Sequence, residues 1–507
     1  MNHISELIHQ LVNHSSSQNA LVSNERTATY DDLARSIRNV EYALIKEGLR
    51  KGDRVLVLIQ DPFEFIASMI AVIGAGGIAI PLNPASSDAV ITSIASDSRS
   101  FGLFTSTNDL NAHPTLRDTL SCQFLYCDQK KLTVPSDQEL MQFHTDKNDG
   151  ALIAYTRSND QSNQGIYFTH KNLLHGISIA DIAGETKPST SEYIMIPLHQ
   201  IEAFNRILSI LQSGGCAATP PEPQNPAVIT KNIRINRCNT ISLSSRDIPQ
   251  FIEYIETQIK SQINRILYIH IIGDDISVAQ KKRIMNIFQT ANIFLQYGTS
   301  EAPCLSILPF HKERQKLNTV GCPTPMTNVA VCDDHGNPID VESIGDIYAC
   351  GEQIASSYWH NESLVPHLPI SGGWFKTGQI GFIDTDGYIH VFGIQDEFIN
   401  LRGSIISTSD IEEKIHDIYP DHDLCVIGVP DPSSTIGEIP VLCYVPHDGK
   451  TILLSELSVA LSNQLEKDHI PRIIYRMNNF PRSENKIKRR EIRNTLMHGM
   501  VQPIGQT

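Results

Sequence analysis

Three polar stretches of this chain hold side chains capable of chemistry. Residues 296–301 (QYGTSE) set a phenol, two hydroxyls and one carboxylate in close succession. Residues 155–173 (YTRSNDQSNQGIYFTHKNL) are rich in hydroxyls and amides around Gly165, and residues 481–490 (PRSENKIKRR) gather cations. A carboxylate is a hard oxygen ligand for a divalent cation. A loop in which glycines let backbone amides approach can cradle phosphate, and lysine neutralises its charge. Each stretch also has a plainer reading: a strand-end turn, a polar surface turn leading into a helix, and a solvated basic tail. A fourth stretch, residues 372–407, contains a Gly-Trp-Phe turn, a Thr-Gly-Gln turn, a short meander with the corner Asp386-Gly387, and a flexible-looking passage, residues 393–396.

The segments that must hold these groups follow from hydrophobic periodicity. ALVSN and TATY read as a hairpin, residues 30–48 as an amphipathic helix opened by Asp31 and Asp32, and DRVLVLI (53–59) as a short buried strand. Residues 63–75 then read as a helix and 77–81 as a strand. Near-continuous apolar strands alternating with helices predict a parallel sheet covered on both faces. The middle of the chain continues this alternation, with strand or core-helix candidates at 194–197, 207–211, 241–243 and 266–272, a helix at 248–261, and a loop at 220–226 (PPEPQNP). After Val320, short strands separated by turns predict an antiparallel β subdomain. Past Asp396 come a helix (409–419), two strands (423–429 and 439–445), a helix (454–467), a strand (473–477) and a basic tail, which is a second domain of α+β type.

Composition narrows the function. At 507 residues the chain exceeds one hydrophobic core. Its formal charge of -15 argues against a nucleic-acid or anionic-membrane surface, because such surfaces are bound by excess Lys and Arg. No run of about 18 apolar residues predicts a membrane span, and the N-terminal residues Ile4, Leu7, Ile8 and Leu11 fit one helical face rather than a signal peptide. Ten cysteines without a CxxC pair read as free thiols in a reducing compartment, most simply the cytoplasm.

Taken in this order, the chain resembles the adenylate-forming (ANL) superfamily of acyl-CoA synthetases, firefly-type luciferases and nonribosomal-peptide adenylation domains, over nearly its whole length. The resemblance implies an α/β fold. It consists of a large N-terminal domain (1–393) of mixed and parallel sheets with helices, including a β subdomain at about 320–393, and a small mobile α+β C-terminal lid domain (396–507). In that family the two domains rotate about a hinge. They first adenylate a carboxylate with Mg-ATP and then transfer the acyl group, usually to a thiol such as that of CoA or a carrier protein.

The family's site residues are implied position by position. Residues 155–173 resemble its phosphate loop, with Thr156, Ser158 and Gly165 as nucleotide contacts; Ser158 and Gln161 stand for two glycines, Gln164 stands for a lysine, and Thr169 and His170 remain. Residues 296–301 resemble its Tyr-Gly-x-Thr-Glu. The ring of Tyr297 would lie beside adenine, Gly298 and Thr299 would be further nucleotide contacts, Ser300 would meet a phosphate, and Glu301 would be catalytic through Mg²⁺. Gly273-Asp274-Asp275-Ile276 occupies the place of the adenine loop. Gln379 replaces the aspartate that accepts the ribose hydroxyls, and Ile394 replaces an arginine. Asp396 falls on the hinge. Ile399 and Gly403 match a run in which Asn400 replaces lysine, and Lys486 aligns with the catalytic lysine. Pro197-Leu198-His199-Gln200 stands near the carboxylate pocket, where neither His199 nor Gln200 is expected to be catalytic.

The replacement at Gln379 has a calculable effect. A neutral acceptor contributes about 1 kcal/mol per hydrogen bond where a charged one contributes about 1.5 to 3, so nucleotide affinity should fall by roughly one to two powers of ten. The resemblance therefore implies an acyl-CoA-synthetase-like, AMP-forming carboxylate ligase with impaired or altered ATP-dependent activation of a small acid. Two alternatives stay open. One is a catalytically inactive scaffold that binds a small acid, an acyl conjugate or a protein partner; the other is an enzyme that accepts a ready-made acyl-adenylate.

Overall fold

The computed structural model describes the chain except at residues 1–3, 5, 7–16, 24–25, 127–145, 158–162, 220–225, 259–264, 334, 361–372, 395–396, 402–403, 431–437, 447–450, 463, 484–485, 498–504 and 507. Apolar runs such as Arg54–Leu58 (RVLVL) and Ile78–Pro81 (IAIP) are buried on both faces, as central parallel strands require. They belong to a seven-stranded sheet in the order Ser357–Tyr358, Asn163–Thr169, Gly150–Arg157, Ile78–Pro81, Arg54–Leu58, Gly102–Thr105 and Gln123–Tyr126. Its strands are parallel except at the first edge, where Asn163–Thr169 returns against Gly150–Arg157 and receives Ser357–Tyr358.

A nine-stranded sheet takes up the rest of the alternating region. Tyr268–Gly273 lies between Thr240–Ser244 and Asn292–Tyr297, all parallel. The predicted hairpin forms from Asn19–Val22 and Thr27–Thr29 and closes one edge of this sheet. The predicted first helix spans Tyr30–Lys46, where Thr29 and Asp32 form a reciprocal capping box. Residues 207–211, open between strand and helix in the sequence, lie in the helix Ile201–Gln212. The predicted loop at 220–226 lies outside the described residues except for Pro226, which opens the helix Pro226–Ile235. Of the predicted N-terminal helix face, only Ile4 is described, and it is buried.

The β subdomain is a four-stranded antiparallel sheet of Thr327–Cys332, Gly345–Gly351, Phe375–Ile383 and Ile389–Ile394. Past it, His422–Pro430, Glu438–Pro446, Ile473–Arg476 and Gly505–Gln506 form a separate sheet, joined by the helices Thr408–Ile418 and Leu454–Leu461. The second helix ends earlier than the predicted 467. The large hydrophobic clusters of described residues divide here: two draw their members from positions up to Val391, and two from Ile399 onward.

The plainer reading of residues 481–490, a solvated basic tail, does not hold for the described residues. Arg482–Ser483 pairs with Lys486–Ile487 as a small hairpin, and the helix Arg489–Met497 follows, burying Ile492 and Leu496. Arg489 donates to both oxygens of Glu412 at 2.6 and 2.7 Å, and Arg482 pairs with Asp423 at 2.6 Å. Cation spacing alone could not reveal these partners, which lie 77 and 59 residues away.

Candidate active site

The strands Tyr268–Gly273 and Asn292–Tyr297 run parallel in register, Gly273 opposite Tyr297, so their carboxyl ends meet. Ligands of open α/β sheets bind at such ends. Tyr297 is only 1% exposed, and its phenol pKa is pushed upward by burial first and then by the charges of Asp274 and Asp275. Asp275, unexpected in an adenine loop, is held by the buried Lys281 at 2.7 Å. That ammonium also donates to the carbonyls of Leu317 and Thr319 at 2.8 and 2.9 Å.

Beyond Tyr297 the chain reverses tightly. A Cβ at Gly298 would stand 2.5 Å from the Cys304 nitrogen and 2.7 Å from the Ala302 carbonyl oxygen, so only glycine fits. Thr299 and Ala302 exchange backbone hydrogen bonds at 3.2 and 3.1 Å, and the Thr299 hydroxyl also accepts from the Ala302 amide. This turn sets out half-buried Ser300 and Glu301. Glu301 is then joined to the other sheet: its carbonyl accepts from the Ala355 amide, and its Oε1 accepts from the Tyr358 hydroxyl, both at 2.9 Å.

Among its described residues, the phosphate-loop candidate is mostly strand. Thr156 on Gly150–Arg157 pairs with Gln164 on Asn163–Thr169, and Tyr155 pairs with Gly165. Gly165 is a packing glycine: its Cβ would lie 2.9 Å from both the Ile153 and Trp359 side chains, and its carbonyl accepts from the Trp359 amide at 2.7 Å. Ser158 and Gln161, in the connection between the two strands, lie outside the described residues. Thr169 caps the helix His170–Gly184 in a reciprocal box with Asn172, so this hydroxyl is occupied structurally.

Gln379 does not sit in a turn. Phe375–Ile383 is one strand whose register against Gly345–Gly351 jumps from Asp346 opposite Ile380 to Tyr348 opposite Lys376. Thr377, Gly378 and Gln379 thus bulge past Ile347, with Gly378 at φ 76° and the Thr377 hydroxyl donating to the Ile347 carbonyl at 2.8 Å. A bulge re-aims the side chains it carries. Here Gln379 reaches Tyr297, whose hydroxyl donates to the Gln379 Oε1. On its other side Gln379 pairs with Ile394.

The structure therefore links Tyr297 with Gln379, and Glu301 with the strands bearing Thr156 and Gly165. Asp396 and Gly403 lie outside the described residues, as do the side chains of Ile394, Asn400 and Lys486, so no contact of theirs enters the site. Two residues escaped the sequence reading. Glu202, half-buried in the first turn of Ile201–Gln212, has its pKa pushed up to about 7 by burial first and then by the charge of Glu301. Its helical face is polar, with Asn205, Arg206 and Ser209 at i+3, i+4 and i+7, so periodicity gave no signal for it. Tyr358 had none, because its partner lies 57 residues away. Burial pushes His199 down to about 4 and keeps it neutral.

Among the described residues no group of three or more His, Cys, Asp and Glu could hold a metal by protein ligands alone. Glu301 does fit the usual Mg²⁺ arrangement, in which one or two carboxylates share the ion with substrate phosphates. The tight glycine turn beside a buried phenol is likewise chemically suited to a nucleotide.

Parallel sheets whose strand ends carry this turn and acid, followed by a smaller α+β unit, define the class of adenylate-forming enzymes. The chain belongs to the AMP-binding enzyme family, whose model matches residues 8–359. It is 25% identical to oxalate--CoA ligase of Arabidopsis thaliana, over 92% of this chain and 93% of that protein. It is 23% identical to tyrocidine synthase 3 of Brevibacillus parabrevis over 96% of this chain, which spans only 8% of that much longer protein. The crystal structure of ATP-bound MatB from Rhodopseudomonas palustris superimposes with a TM-score of 0.76 at 20% identity, covering 98% of this chain and 99% of that one.

Proposed function

We propose that this chain is an AMP-forming carboxylate ligase of acyl-CoA-synthetase type that holds its nucleotide weakly. The observation that carries this reading is the position of Glu301, at the end of the turn after Asn292–Tyr297 and bonded through Tyr358 to the sheet that bears Thr156 and Gly165. Glu301 would hold Mg²⁺, which when bound offsets phosphate charge. Thr156, Ser158 and Gly165 would contact the phosphates together with Ser300, Tyr297 would lie beside the base with Gly298 and Thr299 as further nucleotide contacts, and Gln379 would take the ribose. Lys486 bridges the acid's carboxylate and the α-phosphate, stabilising charge as it develops. Asp396 is the hinge between an N-terminal domain, 1–393 with its β subdomain at about 320–393, and a C-terminal lid, 396–507. The substrate is a small carboxylic acid and the acceptor a thiol of CoA or of a carrier protein. The cytoplasm, with its reducing milieu, is the proposed compartment; no helix among the described residues is long and apolar enough to cross a membrane.

A second reading, a catalytically inactive scaffold, is favoured by one contact: the Gln379 oxygen that would meet the ribose already accepts from Tyr297. The substitutions at Gln161, Gln164 and Ile394 act on the same ligand. Calorimetric titration with Mg-ATP and with AMP, followed by pyrophosphate release across a panel of acids, separates the two. No heat at millimolar nucleotide and no release with any acid would sink the ligase reading; micromolar ATP binding would count heavily against the scaffold.

A further inference from the structure

Tyr358 lies outside the four stretches singled out in the sequence, yet it is tied to the candidate metal carboxylate. Its hydroxyl donates to Glu301 Oε1 at 2.9 Å, while Glu301 Oε2 accepts no hydrogen bond from a described residue. The backbone around Tyr358 is fixed on both sides. Ala355 donates to the Glu301 carbonyl at 2.9 Å, Ser356 to the Tyr167 carbonyl at 2.9 Å and Trp359 to the Gly165 carbonyl at 2.7 Å. The Trp359 ring stacks on Tyr167 with centroids 5.9 Å apart, and its Nε1 donates to the Asp97 carbonyl at 3.2 Å. The phenol is therefore delivered to Glu301 by a short strand clamped between the glycine turn and the Asn163–Thr169 strand. Burial, and then the charge of Glu301, push the phenol pKa upward, so the hydroxyl keeps its proton and acts as a donor.

From this geometry we propose that Tyr358 is a positioning residue for metal binding: its O–H engages Oε1 of Glu301, restricts the carboxylate to one rotamer and leaves Oε2 as the oxygen for the ion. The inference rests on the reading of Glu301 as the Mg²⁺ ligand and adds the residue that orients it. The donated hydrogen bond also offsets the like charge of Glu202, which lies close enough to Glu301 to interact with it. Partners that orient a ligating side chain commonly change metal affinity by about 10- to 100-fold when removed.

The test uses the full chain with Mn²⁺ and ATP as probes, read by the Mn²⁺ electron paramagnetic resonance signal, with metal-free AMP binding measured by calorimetry. Tyr358→Phe keeps the ring and removes only the hydroxyl. Expected is a loss of about tenfold in Mn²⁺ affinity of the ATP complex, with metal-free AMP binding unchanged. A merely structural role would weaken both together. Glu301→Gln separates the two levels of inference. If wild type binds Mn²⁺-ATP and Glu301→Gln does not, an unchanged Tyr358→Phe overturns the positioning role alone. If wild type fails to bind Mn²⁺-ATP, or Glu301→Gln binds it as well, the metal-ligand reading falls and takes this inference with it. Should Tyr358→Phe fold poorly, 4-aminophenylalanine and 4-methylphenylalanine incorporated at Tyr358 both keep the shape, the first with an N–H donor and the second without. Mn²⁺ affinity of the ATP complex should stay near wild type in the first and fall in the second; equal affinity in the two overturns the proposal.

Discussion

The hydroxyl of Tyr297 donates to the amide oxygen of Gln379, joining the end of a parallel strand in one sheet to a bulge in another across 82 residues of sequence. The contact uses the acceptor at the very position where the family resemblance places a ribose-binding carboxylate. A nucleotide whose ribose bound there would have to share or displace it.

Gln379→Asp restores a charged acceptor there. Charged acceptors exceed neutral ones by about 1 kcal/mol per bond, so AMP should bind about tenfold or more tightly by calorimetry. An unchanged dissociation constant would show that the ribose does not meet this residue.

Glu202 predicts the pH dependence of stability. Its carboxyl pKa rises from 4.5 to about 7 on folding, through burial and then Glu301. Between those values the folded chain holds a proton that the unfolded chain has released. The stabilisation is thus full below about 4.5 and is lost as pH rises through about 7. Glu202→Gln should match wild type near pH 4.5 and exceed it at pH 8 by on the order of 1 to 3 kcal/mol, read from urea unfolding. Parallel pH profiles for the two proteins would show that Glu202 ionises freely.

Arg206 and Glu192 form a buried pair, 1% and 0% exposed, with guanidinium Nε 2.8 and 3.0 Å from the two carboxylate oxygens. Arg206 also donates to the Ala180 carbonyl and the Thr186 hydroxyl, both at 2.8 Å. Removing one partner strands a buried charge, so Glu192→Ala should cost about 3 to 5 kcal/mol in denaturant unfolding. A loss below about 1 kcal/mol, the range of exposed pairs, would mean that water reaches the guanidinium.

Lys486→Ala and Glu412→Ala address the C-terminal unit separately. If Lys486 stabilises transition-state charge, its loss should lower acid-dependent pyrophosphate release by about a hundredfold or more and leave AMP binding intact. Glu412 holds Arg489, and its loss should destabilise the chain by about 3 kcal/mol in urea unfolding. Pyrophosphate release that survives Lys486→Ala would remove Lys486 from the chemistry.

How much was legible in the sequence differs between backbone and site. Apolar patterning identified the strand at Arg54–Leu58 and the helix Tyr30–Lys46, because burial on one or two faces writes a local signal into the chain, but left residues 266–272 open between strand and core helix until sheet pairing decided for the strand Tyr268–Gly273. Turn chemistry located the Asp386-Gly387 corner, where Gly387 takes φ 85°. The QYGTSE run marked the strand-end turn, since only glycine fits at 298.

By itself, then, the sequence determined the family, the alternating architecture and the identity of Glu301 as the candidate metal carboxylate. Only the tertiary structure decided that Gln379 leaves its strand on a bulge to meet Tyr297, that Tyr358 holds Glu301, and that Arg489 is bound by Glu412. The physical reason is range. Periodicity and turn preference act over a few residues, whereas these hydrogen bonds join residues 57 to 82 positions apart, and sheet order and register select which of them meet.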